Sequence, residues 1–96
     1  MRESTIEKAC GNRVRAYGGE WIKMHPLTVV GLPDRVAILP GGVVWFVELK
    51  ADDGRKERLR PRQEWWEKRL RQMGCNYIRT NSMLEFVTAL GLDGDE

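Results

Sequence analysis

The chain predicts an α/β fold, a mixed central sheet flanked by helices, and three observations carry that expectation. Helical and strand-like periodicities alternate along it in the order α-β-β-β-α-β-α. Two β-rich runs, residues 35–39 and 43–50, lie either side of Pro40-Gly41-Gly42, which marks a hairpin with a short glycine-containing loop. The second run opens Val43-Val44-Trp45-Phe46-Val47, apolar at every position, the pattern of a central strand covered on both faces.

Each element has a local reason. Ser4-Thr5-Ile6-Glu7 fits a capping box, with Ser4 as N-cap and Glu7 three residues on. Ile6, Cys10, Val14 and Tyr17 follow at helical spacing until Gly18-Gly19 stops the helix. Residues 21–25 predict a short strand ended by Pro26, and residues 27–32, apolar but running into Gly31-Leu32-Pro33, predict a loop. After the hairpin, residues 51–59 form a polar, charged loop. Pro61 suits the first turn of a helix reaching about Met73, where Gly74 stops it. Residues 75–80 predict a further strand, residues 82–90 a closing helix ended by Gly91, and residues 93–96 a frayed end.

Composition narrows the function classes. Ninety-six residues predict one domain spanning 1–96, which buries roughly 60–70% of its extended surface. At 42% hydrophobic and 31% charged residues, the composition is that of a globular protein and excludes a disordered tail. No apolar run approaches the ~18–20 residues that cross a bilayer, and Met1-Arg2-Glu3-Ser4 does not open a signal peptide, so a cytoplasmic protein without a membrane partner is expected. Cys10 and Cys75 are far apart and lack metal-ligand spacing, which disfavours both a disulfide and a zinc site. Charge is uneven. Residues 55–62 hold five bases against one acid, whereas from Met73 onward Arg79 stands against Glu85, Asp93, Asp95 and Glu96. Such a segment is the footprint of a polyanion-binding protein, or else a solvated loop.

The hairpin count brings chemistry into view. With Pro40-Gly41-Gly42 as the loop, Leu39 pairs with Val43 and Asp34 falls opposite Glu48. Directly paired residues share a face, and period-two alternation adds Lys50 to it. Opposed carboxylates destabilise a sheet unless a hard divalent cation such as Mg²⁺ lies between them; the alternative is a set of weak surface ion pairs. Lys50 would then orient or help deprotonate an attacking water and neutralise developing charge. The lone histidine, His25, gives no support to Ser-His chemistry.

Gly31-Leu32-Pro33-Asp34, a hairpin, then Val47-Glu48-Leu49-Lys50 resembles the Pro-Asp…Glu-x-Lys signature of the restriction-endonuclease-like superfamily. More narrowly, the chain resembles the virus-type replication–repair nuclease (VRR-NUC) family. The similarity lies in a glutamate-bearing first helix, the Gly-x-Pro-Asp turn, the strand entering Glu-x-Lys, and a glutamine at a helix start, here Gln63; it runs from Glu3 to about Thr80. Stand-alone members are typically small phage proteins. The resemblance implies a restriction-endonuclease-like core and an endonuclease, dependent on Mg²⁺ or Mn²⁺ and without a small-molecule cofactor. It also implies a homodimer that cleaves branched DNA, the four-way (Holliday) junction above all.

The implied catalytic residues are Asp34, Glu48, Lys50 and Gln63. The implied metal ligands are Asp34, Glu48, the backbone carbonyl of Leu49, and either Glu3, which matches the family's Glu-x-x-Ile opening, or Glu7. Gln63 also falls on a stripe with Trp66, Leu70 and Met73, an inward face where a polar side chain needs a partner: buried backbone or the reacting phosphate. Lys56, Arg58, Arg60 and Arg62 are expected to track DNA phosphates without reading sequence. Trp45, Trp65 and Trp66 read as core more than as base-stacking platforms. A non-catalytic DNA-binding module is disfavoured by the intact acids, and a sequence-specific restriction enzyme by the little room for a recognition insert; a monomeric flap nuclease is the remaining alternative.

Overall fold

A computed structural model of the protein describes residues 3–25, 29–50 and 60–93. The elements are α1 (Glu3–Ala16), β1 (Glu20–Lys23), β2 (Arg35–Leu39), β3 (Val43–Leu49), α2 (Pro61–Gln72), β4 (Asn76–Thr80) and α3 (Met83–Leu90), in the expected order. The sheet runs β1-β2-β3-β4. Its first two pairings are antiparallel, and β3 pairs with β4 in parallel, which needs a crossover; α2 lies in that crossover.

Side-chain alternation separates the two faces. Trp21, Ala37, Leu39, Val47, Leu49 and Ile78 point toward α1 and α3 and meet Ile6, Cys10, Val14, Phe86, Val87 and Leu90 in a single core cluster. Trp21 meets Phe86 edge-on, with centroids 5.7 Å apart. α1 lies almost flush on this indole: a Cβ at Gly11 would stand 2.6 Å from the ring, so only glycine fits. α3 starts at the Ser82 cap, whose hydroxyl accepts from the Glu85 N–H at 3.1 Å.

Three local expectations need correction. α1 begins at Glu3, so Ser4 sits inside the first turn and Glu7 is not the second half of a capping box. Helix α1 also ends at Ala16, leaving Tyr17 exposed rather than on the buried stripe. And β3, though central, is not covered along its length: Val43, on the α1–α3 face, and Val44, on the other, are both exposed, and on Val44's side α2 packs against β4 and leaves the β1–β2 half of the face open. Among the described residues no helix is long and apolar enough to cross a membrane.

Candidate active site

The β2–β3 ladder has the counted register, from Leu39↔Val43 to Arg35↔Val47. One step beyond its last pair lie Asp34, a bend residue just before β2, and Glu48, the sixth residue of β3. Asp34 is an exposed bend residue whose carbonyl accepts from the Met24 N–H at 2.8 Å, so its backbone is held while its side chain reaches the rim of the sheet. Glu48 is buried, 7% exposed, on the face opposite the core cluster, where its cross-strand partner on β4 is Arg79. A charge that deep requires compensation, and Glu48 is engaged.

Lys50 follows on the same face by alternation. Its N–H donates to the Thr80 carbonyl at 3.0 Å, continuing the parallel ladder past β3. Thr80 is itself locked: its buried hydroxyl accepts from the Ser82 N–H at 3.0 Å and donates to the Glu85 carboxylate. The turn into α3 thus fixes the rung on which Lys50 rests.

A cleft of about 490 Å³ opens between the start of α1 and this end of the sheet, lined by Ser4, Glu7, Lys23, Asp34, Arg35 and Leu49. It brings together Asp34, Leu49 and Glu7 from the expected site; Glu48, Lys50 and Gln63 are not in its lining. Glu3 is the first residue of α1, and its side chain falls outside what the structure describes. One oxygen of Glu7, Oε2, accepts from the Trp21 indole N–H at 2.9 Å and pairs with Arg35 at 2.7 Å. The Arg35 guanidinium also lies over the Trp21 ring, 5.9 Å from its centroid.

Gln63 caps its own helix: its Oε1 accepts from the Arg60 N–H at 2.9 Å. Trp66 and Leu70 do turn inward with it, but Met73, past the end of α2, is 52% exposed and leaves the stripe. The first turn of α2 is pressed against the Gly31-Leu32-Pro33-Asp34 turn. Gly31 has φ +96°, and a Cβ there would lie 2.7 Å from the Arg62 backbone, so glycine is required twice over. Arg60 and Arg62 are exposed at this helix start, and Arg62 lies 5.6 Å from the centroid of the Trp65 ring. Lys56 and Arg58 lie outside the described residues.

Two groups near the site are held protonated. Burial, with the Glu7 charge adding, pushes the Cys10 thiol up to about 12. Burial also raises the Tyr77 phenol well above its ordinary value, with the carboxylates of Glu67 and Glu48 contributing. Neither is a thiolate or phenolate ligand at neutral pH. The donors that remain are carboxylate and carbonyl oxygens, the set a hard cation takes, while soft-metal ligands are absent from the cleft lining. Among the described residues no three His, Cys, Asp or Glu converge into a group that could hold a metal ion.

The residues missed by sequence reasoning are Lys23, Arg35, Trp21, Arg79 and Thr80. The hairpin count finds Arg35 opposite Val47, but nothing local pairs it with Lys23 across residues 24–34.

A four-stranded mixed sheet in the order β1-β2-β3-β4, with a parallel β3–β4 crossover and flanking helices, matches the restriction-endonuclease-like class of α/β folds. A solved structure described as a VRR-NUC domain superposes with a TM-score of 0.80 at 32% identity, covering 93% of this chain and 94% of that one. The chain is also 43% identical over 51 residues to "Putative nuclease p44" of Acyrthosiphon pisum secondary endosymbiont phage 1. That match takes in 53% of this chain and 55% of the phage protein, so it spans about half the length of the curated relative. No protein-family model matches the chain. The chain belongs to the VRR-NUC domain family.

Proposed function

We propose that the protein is a divalent-metal-dependent endonuclease that hydrolyses phosphodiester bonds in branched DNA, acting as a homodimer on four-way junctions. The observation that carries this reading is the β2–β3 register, which ends at Arg35↔Val47, one residue short of Asp34 and Glu48, beside a cleft that Asp34 shares with Glu7 and Leu49. Asp34, Glu48, the Leu49 carbonyl and a first-helix glutamate, Glu3 or Glu7, would hold a Mg²⁺ or Mn²⁺ ion. When bound, that ion supplies Lewis-acid stabilisation of phosphoryl charge and acidifies water. Lys50, on its fixed rung, orients the attacking water and neutralises charge developing on the phosphate. Gln63 caps the helix through its carbonyl and keeps its amide N–H₂ for the phosphate. Lys56, Arg58, Arg60 and Arg62 position the DNA backbone.

The symmetry of a four-way junction supports the dimer. Two symmetric cuts call for two sites in fixed relation, which an isologous pair supplies. Ile22, Ile38 and Val44 are exposed on one sheet face, Trp65 is 50% exposed, and Val30 is exposed in the loop before Gly31, giving apolar surface for such an interface.

The test is cleavage of synthetic four-way junctions, flaps and linear duplex with Mg²⁺, Mn²⁺ or EDTA. Cleavage of the junction in preference to duplex is expected, lost in EDTA and lost in Asp34→Ala, Glu48→Ala and Lys50→Ala with DNA binding retained. Full activity of Asp34→Ala, purified free of host nuclease, would sink the mechanism. Light scattering should give twice the chain mass at micromolar concentration; a monomeric mass with single-strand nicking points instead to a flap nuclease.

A further inference from the structure

Lys23 and Arg35 form the last rung of the β1–β2 ladder, so their side chains leave the same face side by side. Two cations directly opposed across strands cost stability. The fold relieves one of them: Glu7 descends from α1 to pair with Arg35 at 2.7 Å, and the Trp21 ring lies beneath the guanidinium. Arg35 is thereby aimed, with its side chain 17% exposed, and its planar fork has donors beyond the one Glu7 uses. Lys23 is exposed, and among the described residues no carboxylate is ion-paired with it. Both line the cleft beside Asp34.

The charge balance of the cleft indicates its ligand. Among the described residues its lining carries two cations, Lys23 and Arg35, and two carboxylates, Glu7 and Asp34, for a formal net charge of zero. Loading a divalent cation onto the carboxylates leaves two positive charges to be met by an anion. On the other side of Asp34, the Gly31 turn presses against Arg62, at a helix start that also carries Arg60.

We propose that Lys23 and Arg35 are a second DNA-phosphate contact, gripping the backbone on the α1 side of the scissile position while Arg60 and Arg62 grip it on the α2 side. Arg35 is the aimed, bidentate contact and Lys23 the mobile point charge. Glu7 is a positioning residue for Arg35, whatever share it takes of a metal. The proposal rests on the nuclease reading for the location of the scissile phosphate, but its test is binding rather than cleavage.

Anisotropy of a labelled four-way junction is measured from 50 to 300 mM salt, once in EDTA and once with Ca²⁺, for wild type, Lys23→Gln, Arg35→Lys and Arg60→Gln. Each lost phosphate contact should flatten the plot of log K against log salt by about 0.9. Lys23→Gln and Arg60→Gln should each do so, and the double variant should lose both increments. Arg35→Lys keeps the charge but not the fork, so affinity should fall with little change of slope. Lys23 is exposed and stands opposite Arg35, so a melting temperature at or above wild type is expected for Lys23→Gln and separates lost contact from lost fold. An unchanged slope in Lys23→Gln, beside a flattened one in Arg60→Gln, overturns the proposal. A wild type that binds with these slopes yet cuts nothing overturns the nuclease reading and leaves the contact standing; a wild type that binds no DNA overturns both.

Discussion

Glu7 ties three elements together with one carboxylate: it belongs to α1, accepts from Trp21 on β1 and pairs with Arg35 on β2. The pair is largely sheltered, with side chains 28% and 17% exposed, so solvent screens it less than an ordinary surface bridge. Glu7→Gln keeps an oxygen for the indole but removes the charge facing Arg35. A loss of about 2 kcal/mol is expected, as for hydrogen bonds to charged groups. Thermal melting reads this as a fall of roughly 8–16 °C for a domain of this size. Cys10 gives a second prediction. Its thiol donates to the Met83 sulfur at 3.4 Å in a dry setting, so a thiol reagent at pH 8 should label Cys75 and spare Cys10 until the protein unfolds. The pH dependence has a definite sign. The unfolded thiol loses its proton near 9.0 and the folded one near 12, so in that window the unfolded state binds fewer protons and stability falls as pH rises. Tyr77 pulls the same way. Urea midpoints should be level from about pH 7 to 8.5 and decline above, and Cys10→Ala with Tyr77→Phe should flatten the decline.

At the scale of elements, the first turn of α2 meets the Gly31 turn that leads into Asp34. Two substitutions probe it from opposite sides. Gln63→Ala removes the oxygen that satisfies the Arg60 N–H and should cost about 1 kcal/mol, the worth of a cap. Gly31→Ala forces a Cβ to 2.7 Å from the Arg62 backbone at a φ of +96°. Strain and overpacking together should cost about 2–4 kcal/mol. Because relief requires the helix start to move away from Asp34, cleavage measured well below the melting temperature should fall too, although Gly31 carries no chemical group. Wild-type melting in Gly31→Ala would contradict the described contact.

On the scale of the whole molecule, the sheet divides its labour between faces. The α1–α3 face holds the core cluster, and the other holds Glu48 near α2 but leaves Ile22, Ile38 and Val44 open to solvent. If that open face is the dimer interface, Ile38→Lys should give a folded monomer by light scattering, with junction cleavage reduced to unpaired nicks. A dimer that survives Ile38→Lys assigns the interface elsewhere, with Trp65 and Val30 next to be tested.

Much of this was legible in the sequence because it depends on near neighbours. A three-residue loop sets the hairpin register from Leu39↔Val43 to Arg35↔Val47, and alternation then turns Glu48 to the face opposite Val47, all within fourteen residues. Ser82 and Gly91 bound α3 by the same short-range logic. What only the tertiary structure decided lies across long separations. Eleven residues separate Lys23 from Arg35, more than a tight hairpin loop holds, so no short-range rule in the sequence sets their pairing. Glu7 looked like a cap because Ser4 stands three residues before it; its partners, Trp21 and Arg35, are 14 and 28 residues away. How far the helices spread over the two faces is likewise a matter of packing, which is why an apolar run that reads as a strand buried on both sides is buried on both only near Glu48. Turn geometry and side-chain period are local interactions and are written in the order of residues; a carboxylate's partner, and the face a helix leaves bare, depend on which surfaces meet when the chain closes.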